Sequence, residues 1–191
     1  MDILNKQPHK IIICGGNGAG KSTLGRALSQ KLGWHFMDIE DYYFPEKNGD
    51  YAYKTARTKD EVKKLLLEDM KKYPDFVLAS VKGSYGEEIA SMFTCAIFVS
   101  VPKELRMKRV WDRSYQRYGE RILQGGDLYA REKGFFDMVE RRSESDVTEW
   151  LDSIGIPVIR VDGAQPVEKN VGIIFQALEG LEDGGVAEGD R

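Results

Sequence analysis

Two hydrophobic periods take turns along this chain. Short, mostly apolar runs rich in β-branched and aromatic residues recur at residues 11–14, 34–37, 76–79, 96–101 and 157–161, and between them apolar residues fall three or four apart. The first run, Ile11-Ile12-Ile13-Cys14, has the length and branching of a strand buried on both faces. The stretch after it sets Leu24, Ala27, Leu28 and Leu32 on one stripe of a helix. A second strand over residues 34–37 ends at Asp38, and residues 39–57 read as a loop. Thr58 and Glu61 form a capping box that opens a helix carrying Leu65, Leu66 and Met70. Ser84 and Glu87 predict a second capping box, for a short helix between the third and fourth strands. Pro102 ends the fourth strand, and Pro166 falls where the last helix should start.

Strands alternating with helices predict an α/β fold of three layers, α/β/α, around a five-stranded parallel sheet. Ligands of such sheets bind beyond the carboxyl ends of the strands, so residues 15–22, 38–41, 80–84 and 162–163 should border one crevice. One interval breaks the alternation. From Pro102 to Trp150 no strand is visible, and Gly125-Gly126-Asp127 punctuates a mostly helical stretch. Its first half places Met107, Trp111, Tyr115, Tyr118 and Ile122 on an apolar seam, with Arg106, Arg109, Arg113, Arg117 and Arg121 on the other side. Basic residues outnumber acidic ones by 11 to 7 between residues 103 and 142, although the whole chain carries a net charge of −3. An arginine-rich lid over a polyphosphate fits this pattern; a solvated face laced with pairs such as Arg109 and Asp112 fits it too.

Residues 15–23, Gly15-Gly16-Asn17-Gly18-Ala19-Gly20-Lys21-Ser22-Thr23, complete the phosphate-loop pattern GxxxxGK[ST], and they stand between the first strand and the first helix. Glycines permit turns closed to residues with a β-carbon, so successive N–H groups can point at phosphate oxygens, and the helix N-terminus adds partial positive charge. Lys21 would reach the β- and γ-phosphates of ATP, and the Ser22 hydroxyl would ligate Mg²⁺. The dinucleotide fingerprint GxGxxG is absent from this stretch.

With 191 residues and 41% hydrophobic content, the chain suits one domain, expected over residues 1–178 with the lid at about 103–150. Residues 179–191, rich in glycine and acid, are expected to form a disordered tail. The acidic balance argues against a nucleic-acid partner. Cys14 and Cys95 lie in apolar runs and read as reduced core residues. No signal-peptide pattern opens the sequence, and no run approaches the roughly 20 apolar residues of a membrane span, so a cytoplasmic monomer or homodimer without membrane partners is expected.

The loop, its helix and the string Val101-Pro102-x-x-Leu105-x-x-x-Arg109-x-x-x-Arg113 together resemble the P-loop kinase superfamily of nucleoside monophosphate, shikimate, gluconate and uridine kinases. The resemblance covers about residues 9–178. It implies a P-loop NTPase fold like that of nucleoside monophosphate kinases, with a helical lid, and transfer of the γ-phosphoryl group of ATP to a small molecule such as a nucleoside, nucleotide or other metabolite. It also implies that Arg109 packs on the adenine, that Arg113 contacts the phosphates, and that the backbone around Asp162 and Gly163 borders the base. A strand followed by Asp-Gly is equally an ordinary turn. Asp38 falls close to where shikimate kinases carry an Asp-x-Asp pair, which implies a carboxylate beside the reacting hydroxyl and, with Ser22, at the metal; acids after a strand also cap helices. Phosphoryl transfer needs in-line placement, cations on the transferring group and an acceptor for one proton, which Lys21, Arg113, Arg117 and Asp38 would supply. For the acceptor the candidates are Asp38, Asp41, Tyr42, Arg57 and Lys82. The aromatic segment from Tyr42 through Tyr53 loosely resembles the acceptor side of uridine kinases, and its rings could stack on a base or pack the loop onto the sheet. The third strand has no aspartate at its end and no run of three glycines, so no one subfamily's substrate transfers. The alternative is a regulatory nucleotide-binding NTPase without an acceptor; the guanine-reading motif Asn-Lys-x-Asp is absent.

Overall fold

A computed structural model describes residues 8–45 and 50–184. Five parallel strands, β1 (Lys10–Cys14), β2 (His35–Asp38), β3 (Phe76–Ala79), β4 (Cys95–Ser100) and β5 (Val158–Asp162), form one sheet in the order β2-β3-β1-β4-β5. The expected α/β/α architecture is what the chain adopts. Because successive side chains on a strand point to opposite faces, Ile11 and Ile13 enter one core while Ile12 and Cys14 enter the other. All four are fully buried, which explains why the run shows no polar alternation. Helices α1 (Lys21–Leu32) and α8 (Val167–Gly184) cover the first face. On the second lie α3 (Lys59–Lys72), the short α4 (Glu87–Ala90) and α7 (Ser145–Ser153).

Local signals explain most boundaries. Both halves of the Thr58–Glu61 capping box form, and Gly33 ends α1 in the left-handed conformation that suits glycine. Pro166 starts α8 by accepting from the Asn170 N–H. The second capping box does not form: Gly86 occupies the N-cap of α4, and no side chain caps it. The expected loop after β2 begins with a helical turn, α2 (Ile39–Tyr43), because the Asp38 carboxylate accepts from the Glu40 N–H and caps it. Helix α8 continues to Gly184, into the stretch expected as a tail; residues 185–191 lie outside the described residues.

The strandless interval folds as α5 (Lys103–Tyr118), a 3-10 turn (Gly119–Ile122) and α6 (Tyr129–Arg141), and leads into α7. The orientation of α5 is set by its arginine stripe. Arg106, Val110 and Ser114 are the buried residues, Arg106 only 4% exposed, whereas Trp111 and Tyr115 stack on each other in solvent at 43% and 38% exposure. Arg106 therefore faces the protein and packs on the phosphate loop, whose Asn17 carbonyl accepts from its guanidinium; Trp111 and Tyr115 face out, while Tyr118 and Ile122 at the end of the seam pack with Tyr51. Among the described residues no helix is long and apolar enough to cross a membrane.

Candidate active site

Gly18 and Gly20 give the loop after β1 its shape, with φ of 82° and 93°, a region that residues with a β-carbon rarely enter. The loop is braced from both sides. On one side the Gly15 N–H donates to Val81 and the Ser80 N–H to Ile13, which joins the loop to the end of β3. On the other, α5 lies so close that a β-carbon on Gly18 would meet the Arg106 carbonyl, and one on Gly16 the Arg106 guanidinium. Arg106 donates through Nε to the Val101 carbonyl (3.2 Å) and pairs with Glu144 (3.3 Å). This buried arginine was not among the expected site residues. The full stripe of arginines was the only sign of it in the sequence.

A cleft of about 900 Å³ opens over the loop at the carboxyl ends of the strands, where open parallel sheets bind ligands. Gly16, Asn17, Gly18, Gly20, Lys21, Ser22 and Thr23 line its floor, and Arg106, Arg109 and Arg113 of α5 border it together with Arg142 at the end of α6. Gly15 and Ala19 are buried beneath. Lys21 Nζ donates to the Gly16 carbonyl (2.9 Å). Burial lowers its pKa to about 8, and Arg113 pushes the same way against the opposing carboxylates of Glu40 and Asp38. Arg109 donates to the Gly163 carbonyl at 3.0 Å, and Arg142 to the Asn17 side chain at 2.9 Å. Arg142 stands outside the α5 stripe, so no periodicity marked it.

Asp38 is buried and lines the cleft, and its carboxylate also caps α2. Its second oxygen lies 3.6 Å from Arg26. Glu40 and Lys82 line the cleft as well, and Glu40 lies 4.0 Å from Arg113. Other expected residues sit elsewhere. Tyr42 is in the core with its hydroxyl donating to Asp69 (2.6 Å), and Arg57 donates to the Tyr42 carbonyl (2.9 Å). One step along α2, Tyr43 is the ring that reaches the cleft. Asp41 is exposed outside the lining, and Arg117 lies over the rings of Tyr53 and Tyr118. Asp162 and Gly163 are likewise outside it: the Asp162 carboxylate accepts from the Ala164 N–H, which holds it below the usual carboxylate range. Gly163 packs on Val99, Val101 and Ala19 too closely for a β-carbon.

Tyr51 and Tyr53, from the segment after α2, meet α6 and the 3-10 turn before it. The Tyr51 hydroxyl donates to Glu132 of α6 (2.8 Å), and Tyr51 packs with Ile122 and Leu128. Tyr53, Phe44 and Phe135 face the cleft. Cys14 and Cys95 are buried free thiols, each pushed up to about 12 by burial.

Comparison with known proteins agrees with the fold. A family model described as an AAA domain matches residues 11–137. The uncharacterized protein YqaC of Bacillus subtilis (strain 168) is 29% identical over 176 residues, 88% of this chain and 96% of its own. A shikimate kinase of Psychrobacter cryohalolentis is 27% identical over 128 residues, 60% of this chain and 69% of its own. A gluconokinase structure from Sinorhizobium meliloti 1021 superposes with a TM-score of 0.54 at 16% identity, covering 94% of this chain and 97% of that one, a likeness of fold.

Proposed function

As this chain belongs to the AAA domain family and folds as P-loop small-molecule kinases do, we propose that it is an ATP- and Mg²⁺-dependent phosphotransferase acting on a hydroxyl of a small molecule. One observation carries the reading: the phosphate loop, the arginine face of α5 and a buried carboxylate, Asp38, line a single cleft large enough for two substrates. The cations fit a triphosphate. Lys21 would leave the Gly16 carbonyl for the β- and γ-phosphates, and Arg109 and Arg113 would neutralise charge along the chain of phosphates. Among the described residues no three His, Cys, Asp or Glu side chains converge to hold a metal ion, so magnesium would rest on the Ser22 hydroxyl and Asp38 with phosphate oxygens and water completing its shell. When bound, that ion supplies charge neutralisation at the transferring group. In the transfer the acceptor oxygen bonds to the γ-phosphorus, the bond to the β–γ bridging oxygen breaks, and Asp38 takes the hydroxyl proton. The lid excludes water, so the substrate hydroxyl wins over hydrolysis.

Phosphate transfer over a panel of metabolites is the test. The wild type should release ADP only with its acceptor, Lys21→Ala should lose about 100-fold or more, and Asp38→Asn, which keeps a capping oxygen, should lower kcat by about 100-fold. Wild type and Lys21→Ala equally inactive on every acceptor would defeat the proposal. ATP turnover that no acceptor accelerates would favour a regulatory NTPase instead.

A further inference from the structure

We propose that the phosphoryl acceptor carries a flat aromatic ring, as a nucleoside does, and that this ring is clamped between Tyr53 and Phe135. The inference rests on the phosphotransferase reading and adds the acceptor's class. Among the described residues three other near-parallel ring pairs are in direct contact: His35 with Tyr73 at 3.6 Å between centroids, His9 with Trp34 at 4.7 Å, and Trp111 with Tyr115 at 4.9 Å. Tyr53 and Phe135 differ. They are held within 21° of parallel at 6.4 Å, and both face the cleft. An inserted ring needs about 3.5 Å on each side, roughly 7 Å in all. The 6.4 Å between their centroids is close to that spacing, and a movement that sets the two rings face to face would receive the inserted ring.

The surroundings hold Tyr53 in that plane. Phe44 meets it edge-on at 5.0 Å and 81°, Tyr51 edge-on at 5.8 Å and 76°, and the Arg117 guanidinium lies 5.8 Å from its centroid. Fastening the segment to the lid does not require Tyr53. Tyr51 already does so, buried and hydrogen-bonded to Glu132, while Tyr53 and Phe135 are only half-buried. Beside polar lining such as Lys63 and Lys82, the linked rings of Tyr43, Phe44, Tyr53 and Phe135 bring apolar faces to the cleft, which suit a flat ring better than a polyol. The two clamp rings come from different elements, the segment after α2 and lid helix α6, so an inserted ring would also bind the lid to the acceptor side.

The test uses the full chain with Mg²⁺ and a non-hydrolysable ATP analogue, titrated by calorimetry with the common nucleosides and, as acceptors without an aromatic ring, gluconate and shikimate. A nucleoside should bind more tightly than either acid. Tyr53→Leu and Phe135→Leu should each weaken it about tenfold or more, and Tyr53→Phe should retain it, with affinity for the ATP analogue held within about twofold in all three. Tightest binding by an acid, nucleoside affinity unmoved by both leucine variants, or no nucleoside binding while the analogue binds would overturn the clamp and leave the kinase reading standing. Failure of the wild type to bind the analogue would remove the kinase reading and the clamp with it. The comparison of acceptors needs only the unmodified protein, so it decides even where a variant does not fold.

Discussion

Nucleotide affinity should fall steeply with pH above about 8, because the ammonium that grips the phosphates is held close to losing its proton. Burial brings the Lys21 pKa from 10.5 to about 8, so about nine tenths of the side chain is charged at pH 7 and about one tenth at pH 9. A bound triphosphate favours the charged form and restores a high pKa, which means that binding at pH 9 takes up close to one proton. Affinity follows the charged fraction of the free protein and should drop about 25-fold between pH 7.5 and 9.5. Neighbouring groups do not blur the profile: Cys14 is pushed up to about 12, and burial raises Tyr43 and Tyr85 as well. The phosphates finish ionising near pH 7, below the window. Calorimetry of Mg²⁺ and an ATP analogue in two buffers of different ionisation enthalpy reads both affinity and proton uptake, with Lys21→Met as the flat reference. A wild-type profile as flat as that of Lys21→Met would refute the argument. The Lys21 contribution to the stability of the ligand-free protein should move in the opposite direction. Between about pH 8 and 10.5 the unfolded chain holds the Lys21 proton that the folded one has released, so this contribution rises with pH and reads as the difference between wild type and Lys21→Met, because the buried thiols of Cys14 and Cys95 pull the other way in both proteins.

Gly18→Ala should abolish binding of the ATP analogue while the sheet survives by circular dichroism, because a β-carbon there needs φ of 82° and meets the Arg106 carbonyl; nucleotide affinity within twofold of wild type would contradict the loop geometry. Tyr51→Phe removes the donor to Glu132, a carboxylate only 1% exposed whose other oxygen has no hydrogen-bond partner among the described residues. It should cost about 1–3 kcal/mol or somewhat more, read as a lowered Tm, and Glu132→Leu in the same chain should recover part of the loss. An unchanged Tm would mean that this pair does not fasten the lid.

Which parts of the molecule were legible in the chain follows from how local their causes are. Ile11 to Cys14 announce β1 because both faces of a central parallel strand are buried, and Thr58 with Glu61 announce α3 because a capping box closes within one turn. The phosphate loop was equally plain, since its shape depends on glycines and a lysine next to one another. Each of these needs no partner from far along the chain.

What faces what was decided only in three dimensions. Helix α5 carries two stripes, and periodicity alone does not say which of their residues go inside; Arg106 takes the interior because the carbonyls of Val101 and Asn17 await it there, and these reward a guanidinium more than an indole. Tyr42 and Tyr43 are chemically alike, and the roughly 100° turn between them sends one to Asp69 in the core and the other to the cleft. Arg142 beside Asn17, and Phe135 opposite Tyr53, meet across long stretches of chain, and a sequence pattern records periods along one element without recording which elements will come together.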